Sequence, residues 1–402
     1  MALGSFAQSA RAAERPILTI DSALTAAFSR NPDLAAVGWN SAIAQGERLQ
    51  AGLMPNPEVS WDTEDTRSNT RTSSVKITQP IELGGKRGAR IDVAEGAQDA
   101  AALELDRQRN ALRGDVIEAF YGALRAQQRV QLAQQSLSLT ERAVAVADGQ
   151  IRAGKSSPVE ATRAQVQLAE ARLEMRRAEM EQVNVYQQLA VIMGDARPQF
   201  AKVQGDTKQL ARLPTAAVLL GRLPATVELR LAALQIDQSE AALALEKTQR
   251  VPDLNVSVGS QYSAESRERV NLVGFSMAIP LFNRNQGNVL AAARRADQAR
   301  DLRNANELRL RAEVLQALAQ WRTALGEVQS FGTTILPAAE SAVSSALRGF
   351  AMGKFNFLDV LDAQRTLIGA RTQYIQAIAA ATSAWVQIER TFGDTNELSG
   401  DQ

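Results

Sequence analysis

The chain has 402 residues, with 45 Lys and Arg against 44 Asp and Glu, and it contains neither His nor Cys. A formal charge of +1 without a long basic run argues against nucleic acid as a partner. Without imidazole or thiol groups, zinc fingers, Ser-His-Asp catalysis and iron–sulfur sites are excluded. Carboxylates are the main ligand type left for a metal, and we predict neither a metal site nor a cofactor.

The first twelve residues, MALGSFAQSARA, are mildly apolar and end in Ala10-Arg11-Ala12. They are similar to the end of a secretory signal with an A-x-A cleavage site, and a disordered extension is the alternative. No window of the chain has the 18 or so unbroken apolar residues that a transmembrane helix needs. We therefore treat residues 1–17 as a signal remnant or an N-terminal extension.

The two halves of the chain repeat each other. Gly154-Lys155 recurs as Gly353-Lys354, and Gly194 recurs as Gly393 at the same offset. Matching positions in the same order predict a tandem duplication of a unit of about 200 residues. The predicted divisions are a first repeat over 18–200, a linker over 201–213, a second repeat over 214–393 and a tail over 394–402.

Each repeat is predicted to contain a short helix, a second helix, a strand pair, a very long helix, a tight turn and a long helix. Asp21 is a candidate N-cap for the first helix, and Asn31-Pro32 ends that helix and begins the second. The helical pattern over 89–153 corresponds to about 100 Å at ~1.5 Å per residue. Its apolar residues follow a heptad, which predicts coiled-coil packing. After the turn, seven-residue spacing continues at Val159, Val166, Leu173 and Met180, and in the second repeat at Leu361, Ile368 and Ile375.

Two strand pairs interrupt the helices, over 58–66 with 71–79 and over 255–263 with 269–279. In the second pair, Val256 and Val258 alternate with Asn255 and Ser257, which predicts one apolar and one polar face. A further apolar face is predicted for Val273, Phe275, Met277 and Ile279.

Aromatic side chains such as Trp61 and Tyr262 are typical of a lipid–water boundary. Four strands in one chain leave open edges, which vanish if several copies contribute strands to one closed barrel. The alternative is a small sheet that caps a helical bundle.

Three segments carry a family resemblance: ITQPIELGGKRGARIDVAE from Ile77, IPLFNRNQGNV from Ile279 and FNFLDVLDAQRTL from Phe355. The layout from about Leu18 to Gly393 resembles the TolC-like family of outer-membrane efflux ducts. The three segments are similar to its heavy-metal branch, which serves cobalt–zinc–cadmium and nickel–cobalt pumps. The resemblance implies a mainly α fold with a small β part. Duplicated helical hairpins would form a trimeric α-barrel, and four strands per chain would enter a shared twelve-stranded outer-membrane β-barrel.

By the same resemblance, the turns at Gly154-Lys155 and Gly353-Lys354 are docking surfaces for a periplasmic adaptor protein. Asp359 and Asp362 match the aspartates of the narrow periplasmic entrance, where three copies would place six carboxylates and attract cations. Read from this chain alone, these aspartates are solvated residues of a helix face.

Further constriction residues follow from the repeat and from the family. Glu160 and Arg163 are the repeat counterparts of the two aspartates, and they would pair with them or line the same mouth. Phe350 and Phe355 stand where drug-exporting relatives carry a gating Tyr and Arg, so an apolar plug or a different latch is expected. The predicted strand-to-helix hinges are Pro80, Gly84, Gly85, Gly88, Pro280 and Gly287.

The function implied is a passive homotrimeric exit duct of a tripartite efflux system of the RND type. It would export heavy-metal cations and would contact outer-membrane lipid, a periplasmic adaptor and an inner-membrane pump. The alternatives are a duct for organic drugs or secreted polypeptides, and a soluble coiled-coil scaffold. No nucleophile, phosphate loop or cleft accompanies the carboxylates, so we predict that the chain is not an enzyme.

Overall fold

The computed structural model describes residues 16–152, 157–205 and 213–395. The predicted turn residues Gly154 and Lys155 lie outside these ranges. So do most of the N-terminal extension, part of the predicted linker and most of the predicted tail.

The first repeat contains a short strand, two helices, a strand pair and two long helices. These elements are β1 (Ile17–Leu18), α1 (Ile20–Arg30), α2 (Pro32–Ala51), β2 (Glu58–Glu64), β3 (Thr72–Ile81), α3 (Lys86–Arg152) and α4 (Pro158–Ile192). Residue 17, assigned above to the extension, belongs to β1. Helix α1 is capped by Thr19 in a capping box with Ser22, and the predicted cap Asp21 lies in its first turn.

The second repeat has the same order, with one interruption in its long helix. Its elements are β4 (Lys202–Val203), α5 (Ala216–Arg222), a 3₁₀ turn (Leu223–Ala225), α6 (Val227–Thr248), β5 (Leu254–Ser263), β6 (Arg269–Met277), α7 (Gln286–Ser330), a π-helical turn (Phe331–Ile335), α8 (Leu336–Ala351) and α9 (Phe357–Phe392). The prediction of a mainly helical chain with a small sheet is confirmed. Within the described ranges, no helix has both the length and the hydropathy needed to cross a bilayer.

Contacts divide the chain into two units. Unit 1 comprises residues 1–35, 108–222 and 311–402, and unit 2 comprises residues 36–107 and 223–310. Unit 2 holds a four-stranded antiparallel sheet in the order β2-β3-β5-β6. The two predicted strand pairs therefore form one sheet, in which β3 pairs with β5 over ten residues of each strand.

Unit 1 buries small and branched side chains between its long helices. One core combines Val144 and Ala147 of α3 with Leu168 of α4, Phe350 of α8 and Val360 of α9. Much of the predicted α3 heptad is buried, as expected for a seam with alanine at close contacts.

The α4 heptad does not belong to this core. Val159, Val166 and Leu173 are 57%, 51% and 41% exposed, and Met180 is also exposed. The intrachain side of α4 is instead formed by Ala164, Leu168 and Ala178. Coiled-coil packing of Val159 and its heptad partners stays a prediction, because within the chain α4 turns a different stripe toward α3.

The end of α9 is fixed by a buried carboxylate. Glu389 is fully buried, accepts a hydrogen bond from the Arg113 Nε at 2.5 Å and accepts another from the Trp385 Nε1 at 3.0 Å. It also accepts from the backbone N–H of Thr395 at 3.0 Å, and Asp394 pairs with Arg113 at 2.8 Å. These bonds satisfy a charge that would otherwise be costly to bury, and they hold the residues after α9 against α3.

Candidate functional site

The four-stranded sheet of unit 2 has one apolar and one polar face. Val59, Ile77, Val258 and Val273 are register partners in a single row across all four strands. Each of the four is an exposed large hydrophobic residue. Because alternate residues share a face, Trp61, Val75, Phe275 and Met277 lie on this same apolar face.

The polar face is formed by the alternate positions. Its apolar residues are Pro80, Val270 and Leu272. The others are small, polar or charged: Glu58, Ser60, Asp62, Glu64, Thr72, Ser74, Lys76, Thr78, Asn255, Ser257, Gly259, Gln261, Gly274 and Ser276. Exposed apolar residues on one face and polar residues on the other are the pattern of a sheet between lipid and an aqueous lumen.

The connection from β3 to α3 needs glycine. Gly84 has φ +74°, and a Cβ there would lie 2.7 Å from the Cβ of Val251. Gly85 has φ +77° with open space around it. Both residues adopt the left-handed backbone conformation that glycine tolerates best, so they make the turn between strand and helix.

The other predicted hinges are placed differently. Pro80 is paired within β3, opposite Asn255, and Gly88 lies in the first turn of α3. Pro280 falls between β6 and α7, and Gly287 is the second residue of α7. At the second connection the positive φ, +57°, belongs to Asn285, whose side-chain amide donates to the carboxylate of Glu246 at 2.6 Å. Sequence analysis missed Asn285, although asparagine is the commonest substitute for glycine at such positions.

Ion pairs close the first connection. Lys86 has its Nζ 2.7 Å from the Asp253 Oδ1, and its side chain is almost fully buried. The Arg90 guanidinium donates to both carboxylate oxygens of Glu82, with an NH2–Oε2 distance of 2.9 Å. This hydrogen bonding from Arg90 lowers the pKa of Glu82 below its ordinary value, and Glu82 raises the pKa of Arg90.

The tip turn, defined as residues 352–356 between α8 and α9, is a Schellman motif. Gly353 has φ +72°, its N–H donates to the Phe350 carbonyl at 2.9 Å, and the Lys354 N–H donates to the Gly349 carbonyl at 2.8 Å. The Phe355 ring lies on Gly349, where an added Cβ would meet its Cδ2 at 2.1 Å. Gly349 was missed from sequence, since only the fold brings this ring onto it.

Phe350 and Phe355 differ in their surroundings. Phe350 is 2% exposed and packs in the unit 1 core, whereas Phe355 is half exposed on the tip turn. Of the two, only Phe355 therefore offers its ring to solvent in a single chain.

Asp359 has a structural role at the start of α9. Its backbone N–H donates to the Asn356 Oδ1 at 3.0 Å, and its Oδ2 accepts from the Asn356 N–H at 2.9 Å, which completes a capping box. Ser157 caps α4 at the equivalent repeat position, three residues before Glu160. A sequence search for N-cap residues followed by an acid at the third position would have found both.

Asp362 lies in a groove between α4 and α9, which we call the tip groove. It is a cavity of about 480 Å³ lined by Val159, Thr162, Arg163, Val166, Gln167, Leu358, Leu361, Asp362 and Arg365. A second cavity of about 520 Å³ shares Gln167, Leu361 and Arg365 with it and extends along the same two helices. The structure thus brings the predicted residues Arg163 and Asp362 to one groove, together with Arg365, which was not predicted.

No group of three or more His, Cys, Asp or Glu residues arranged to hold a metal ion is found among the described residues.

The two-faced sheet, the paired long helices and the capped tip turn define a chain of the outer-membrane channel class.

Comparisons with known proteins agree with that class. Residues 23–195 and 225–394 match the family described as "Outer membrane efflux protein". The chain is 38% identical over 376 residues to the cobalt-zinc-cadmium resistance protein CzcC of Cupriavidus metallidurans, covering 94% of this chain and 90% of that protein. It is 26% identical over 336 residues to the nickel-cobalt-cadmium resistance protein NccC of Alcaligenes xylosoxydans, covering 82% and 73%.

The fold has also been seen in solved structures. The outer membrane protein VceC of Vibrio cholerae superposes with a TM-score of 0.74 at 15% identity, covering 93% of this chain and 96% of that one. This chain belongs to the outer membrane efflux protein family. It is an outer-membrane protein, as the resemblance predicted.

Proposed function

We propose that this chain is the exit duct of a tripartite efflux system and that its cargo is heavy-metal cations. The single observation that carries this proposal is the 38% identity with CzcC over 94% of the chain. The second relative, NccC, is likewise named for resistance to divalent metals. Two metal-resistance relatives favour metal cations over organic drugs or polypeptides as the cargo.

The duct is a homotrimer. In a single chain, β2 and β6 are the edge strands of the sheet, and an open edge in a membrane leaves backbone groups unsatisfied. Since β2 and β6 run in opposite directions, β6 of one copy can pair antiparallel with β2 of the next. Three copies then close one twelve-stranded barrel whose apolar face meets lipid and whose polar face lines the lumen.

The lumen is suited to release metal cations. The chain contains no His or Cys, so it offers no imidazole or thiolate ligands along the path. The polar face carries the carboxylates of Glu58, Asp62 and Glu64 against one Lys76. Carboxylates lower the barrier for a passing cation, while the absence of imidazole and thiolate groups removes the ligands that bind transition metals most tightly.

The periplasmic entrance is formed around Asp359 and Asp362, with Glu160 and Arg163 beside them. Three copies place six of these aspartates at one mouth, although Arg163 and Arg365 partly balance Asp362 in the tip groove. We assign Phe355 to the surface of the entrance and Phe350 to the core that supports it, because only Phe355 is exposed.

A periplasmic adaptor docks at the tip turns and along the tip groove. Val159 and Val166, seven residues apart on α4, are exposed in the tip groove, and Ile368 on α9 is exposed in the adjoining cavity, seven residues after the buried Leu361. Such stripes bind a further helix by knobs-into-holes packing, so the adaptor segment is an amphipathic helix or helical hairpin. Gly353 and Lys354 form the contact at the tip turn, and Gly154 and Lys155, which lie outside the described residues, are assigned to the same contact by the repeat.

Energy comes from an inner-membrane pump, and the chain itself acts passively without catalysis.

Deleting the coding gene in the source strain tests the cargo. We expect a lower tolerance of cobalt, zinc and cadmium salts and an unchanged tolerance of organic dyes, both restored by the gene on a plasmid. Loss of dye tolerance with unchanged metal tolerance would favour the drug duct instead.

A further inference from the structure

Charge is segregated between the two faces of the β2-β3-β5-β6 sheet. Every carboxylate within the four strands falls on the polar face, where the Lys76 Nζ also lies 3.6 Å from the Asp62 Oδ2. On the apolar face, the strands carry a single charged residue, Arg269, in alternation with Val273 and Phe275. Arg71 comes directly before β3 and continues the alternation of Ser73 and Val75 onto that same face. Both arginines are exposed.

The two arginines lie close together at the hairpin end of the sheet. Arg269 is the register partner of Tyr262 in β5. The Arg71 carbonyl accepts a hydrogen bond from the Ala264 N–H at 2.9 Å, one step beyond the pair formed by Thr72 and Ser263. Because β5 runs between them, their backbones are separated across the sheet by two strand spacings, about 10 Å, and along the strands by two residues, about 7 Å. Two long side chains can therefore reach one headgroup.

The position of the arginines matches one margin of a bilayer. Strand β5 has ten residues and is about 33 Å long at ~3.3 Å per residue. At the usual tilt of a membrane strand it spans an apolar band about 25 Å tall. Tyr262, 40% exposed between the arginines, marks the edge of that band. Arginine stems can lie along such an apolar face while their guanidinium groups reach the headgroup layer.

The other two arginines near the hairpin turns, Arg67 and Arg267, are not aligned with the apolar face. Arg67 is bound to Asp65, with an NH2–Oδ2 distance of 2.6 Å, and this contact lowers the pKa of Asp65 well below its ordinary range. Arg267 lies within the β5–β6 turn at φ +58°, outside the strand alternation. Arg71 and Arg269 are thus the pair aligned with the apolar face.

We propose that Arg71 and Arg269, with Tyr262 between them, bind the phosphate groups of a lipid whose acyl chains lie on the apolar face. Guanidinium groups bind phosphate oxygens through paired charge-assisted hydrogen bonds. Two guanidinium groups on strands two spacings apart suit a headgroup with two phosphates better than one with a single phosphate. The proposal rests on the membrane position of the sheet under the proposed function. It adds a lipid of defined headgroup chemistry as a bound partner.

The test measures lipid binding to the purified protein in detergent by native mass spectrometry. The probes are a diphosphorylated lipid A and the same lipid with both phosphates removed. We expect the wild type to prefer the diphosphorylated form by about tenfold or more. The double variant Arg71→Gln/Arg269→Gln should lose most of that preference. Arg267→Gln removes the same charge from the same hairpin end and should keep it.

Three results would overturn the proposal. The wild type could bind the two lipids equally, the double variant could keep the preference of the wild type, or Arg267→Gln could lose as much of the preference as the double variant. Inorganic phosphate at the concentration of the lipid phosphate should not displace the lipid, and displacement would show a site for free phosphate instead. If the double variant does not fold, each single variant should show a partial loss, and two unaffected single variants would refute the site.

Conductance in planar bilayers separates this inference from the proposed function. The double variant should conduct like the wild type. A wild-type protein that binds the lipid but does not conduct would contradict the proposed duct and would still support the lipid site.

Discussion

Gly84 joins β3 to α3 with φ +74°, against the side chain of Val251. Gly84→Ala should destabilise the protein by roughly 1–3 kcal/mol, because a Cβ would be strained by the backbone angle and would clash with Val251. Gly88→Ala is the matched control. A Cβ at Gly88 meets nothing within 4 Å, so that variant should be neutral or up to ~1 kcal/mol more stable. Thermal unfolding of both variants in detergent measures the difference, and similar losses would refute the hinge.

Glu82, at the same connection between β3 and α3, should make the stability of the folded protein depend on pH. Its pKa in the folded protein is lowered by the hydrogen bonds from Arg90. Its contribution to stability is therefore complete above the ordinary glutamate pKa of about 4.3 and is lost as the pH falls through the lowered value. Glu82→Gln should be less stable than the wild type at neutral pH, and the gap should narrow on acidification. Unfolding midpoints between neutral and acidic pH test this, with the exposed Glu47→Gln as control. A gap that is constant with pH would contradict it.

Single residues also show what sequence can and cannot predict. Gly84 and Gly353 were predictable, because glycine in a strand or helix connection already suggests a positive φ. The capping role of Asp359 was visible in its spacing from Asn356, but family resemblance drew attention to its charge instead. The exposure of Phe355 and the burial of Phe350 were not predictable, since both are phenylalanines within five residues of each other and only the packing distinguishes them.

Among the helices, α4 carries one buried apolar stripe and one exposed apolar stripe. Leu168 is 8% exposed in the core, whereas its neighbour Val166 is 51% exposed in the tip groove. Leu168→Asp should cost several kcal/mol because it buries an unpaired charge. Val166→Asp should change stability little but weaken binding of the adaptor by at least about tenfold. Unfolding and co-purification with the adaptor measure the two effects, and equal effects of both substitutions on stability would contradict the assignment.

The long helices differ between the repeats in a way that sequence could have indicated. Helix α3 runs 67 residues without a break, but the second repeat has a π-helical turn where the Leu336 N–H donates to the Phe331 carbonyl. Pro337 follows directly and lacks an N–H, which removes one α-helical bond at this point. Proline in a helical pattern could have predicted an irregularity there, but we expected an unbroken long helix in both repeats. The heptad of α4 predicts coiled-coil packing but not its partner, because periodicity does not say which helix covers a stripe.

At the scale of the whole molecule, the sheet faces decide how the chain meets the membrane. Val258→Arg places a charge in the apolar row of four register partners and should destabilise membrane insertion by about 2–4 kcal/mol. Ser257→Arg changes the adjacent residue on the polar face and should be tolerated. The yield of heat-resistant trimers in outer-membrane fractions measures both. Equal yields would show that the two faces do not divide lipid from lumen.

The general architecture was accessible from sequence because the repeat, the heptads and the strand alternation are periodic. The joining of both strand pairs into one sheet was not, since it depends on pairing between β3 and β5 across many intervening residues. Contacts of the proposed trimer could not be predicted either, because they would lie on surfaces that a single chain leaves uncovered.

Conductance of the purified protein in planar bilayers with mixed salts tests whether the chain forms a duct. We expect stepwise channels that prefer cations, with the preference reduced in Asp359→Asn/Asp362→Asn. Protein that remains monomeric without detergent and produces no channels would contradict the duct. Channels whose ion preference is unchanged in the double variant would contradict the entrance assigned to the two aspartates.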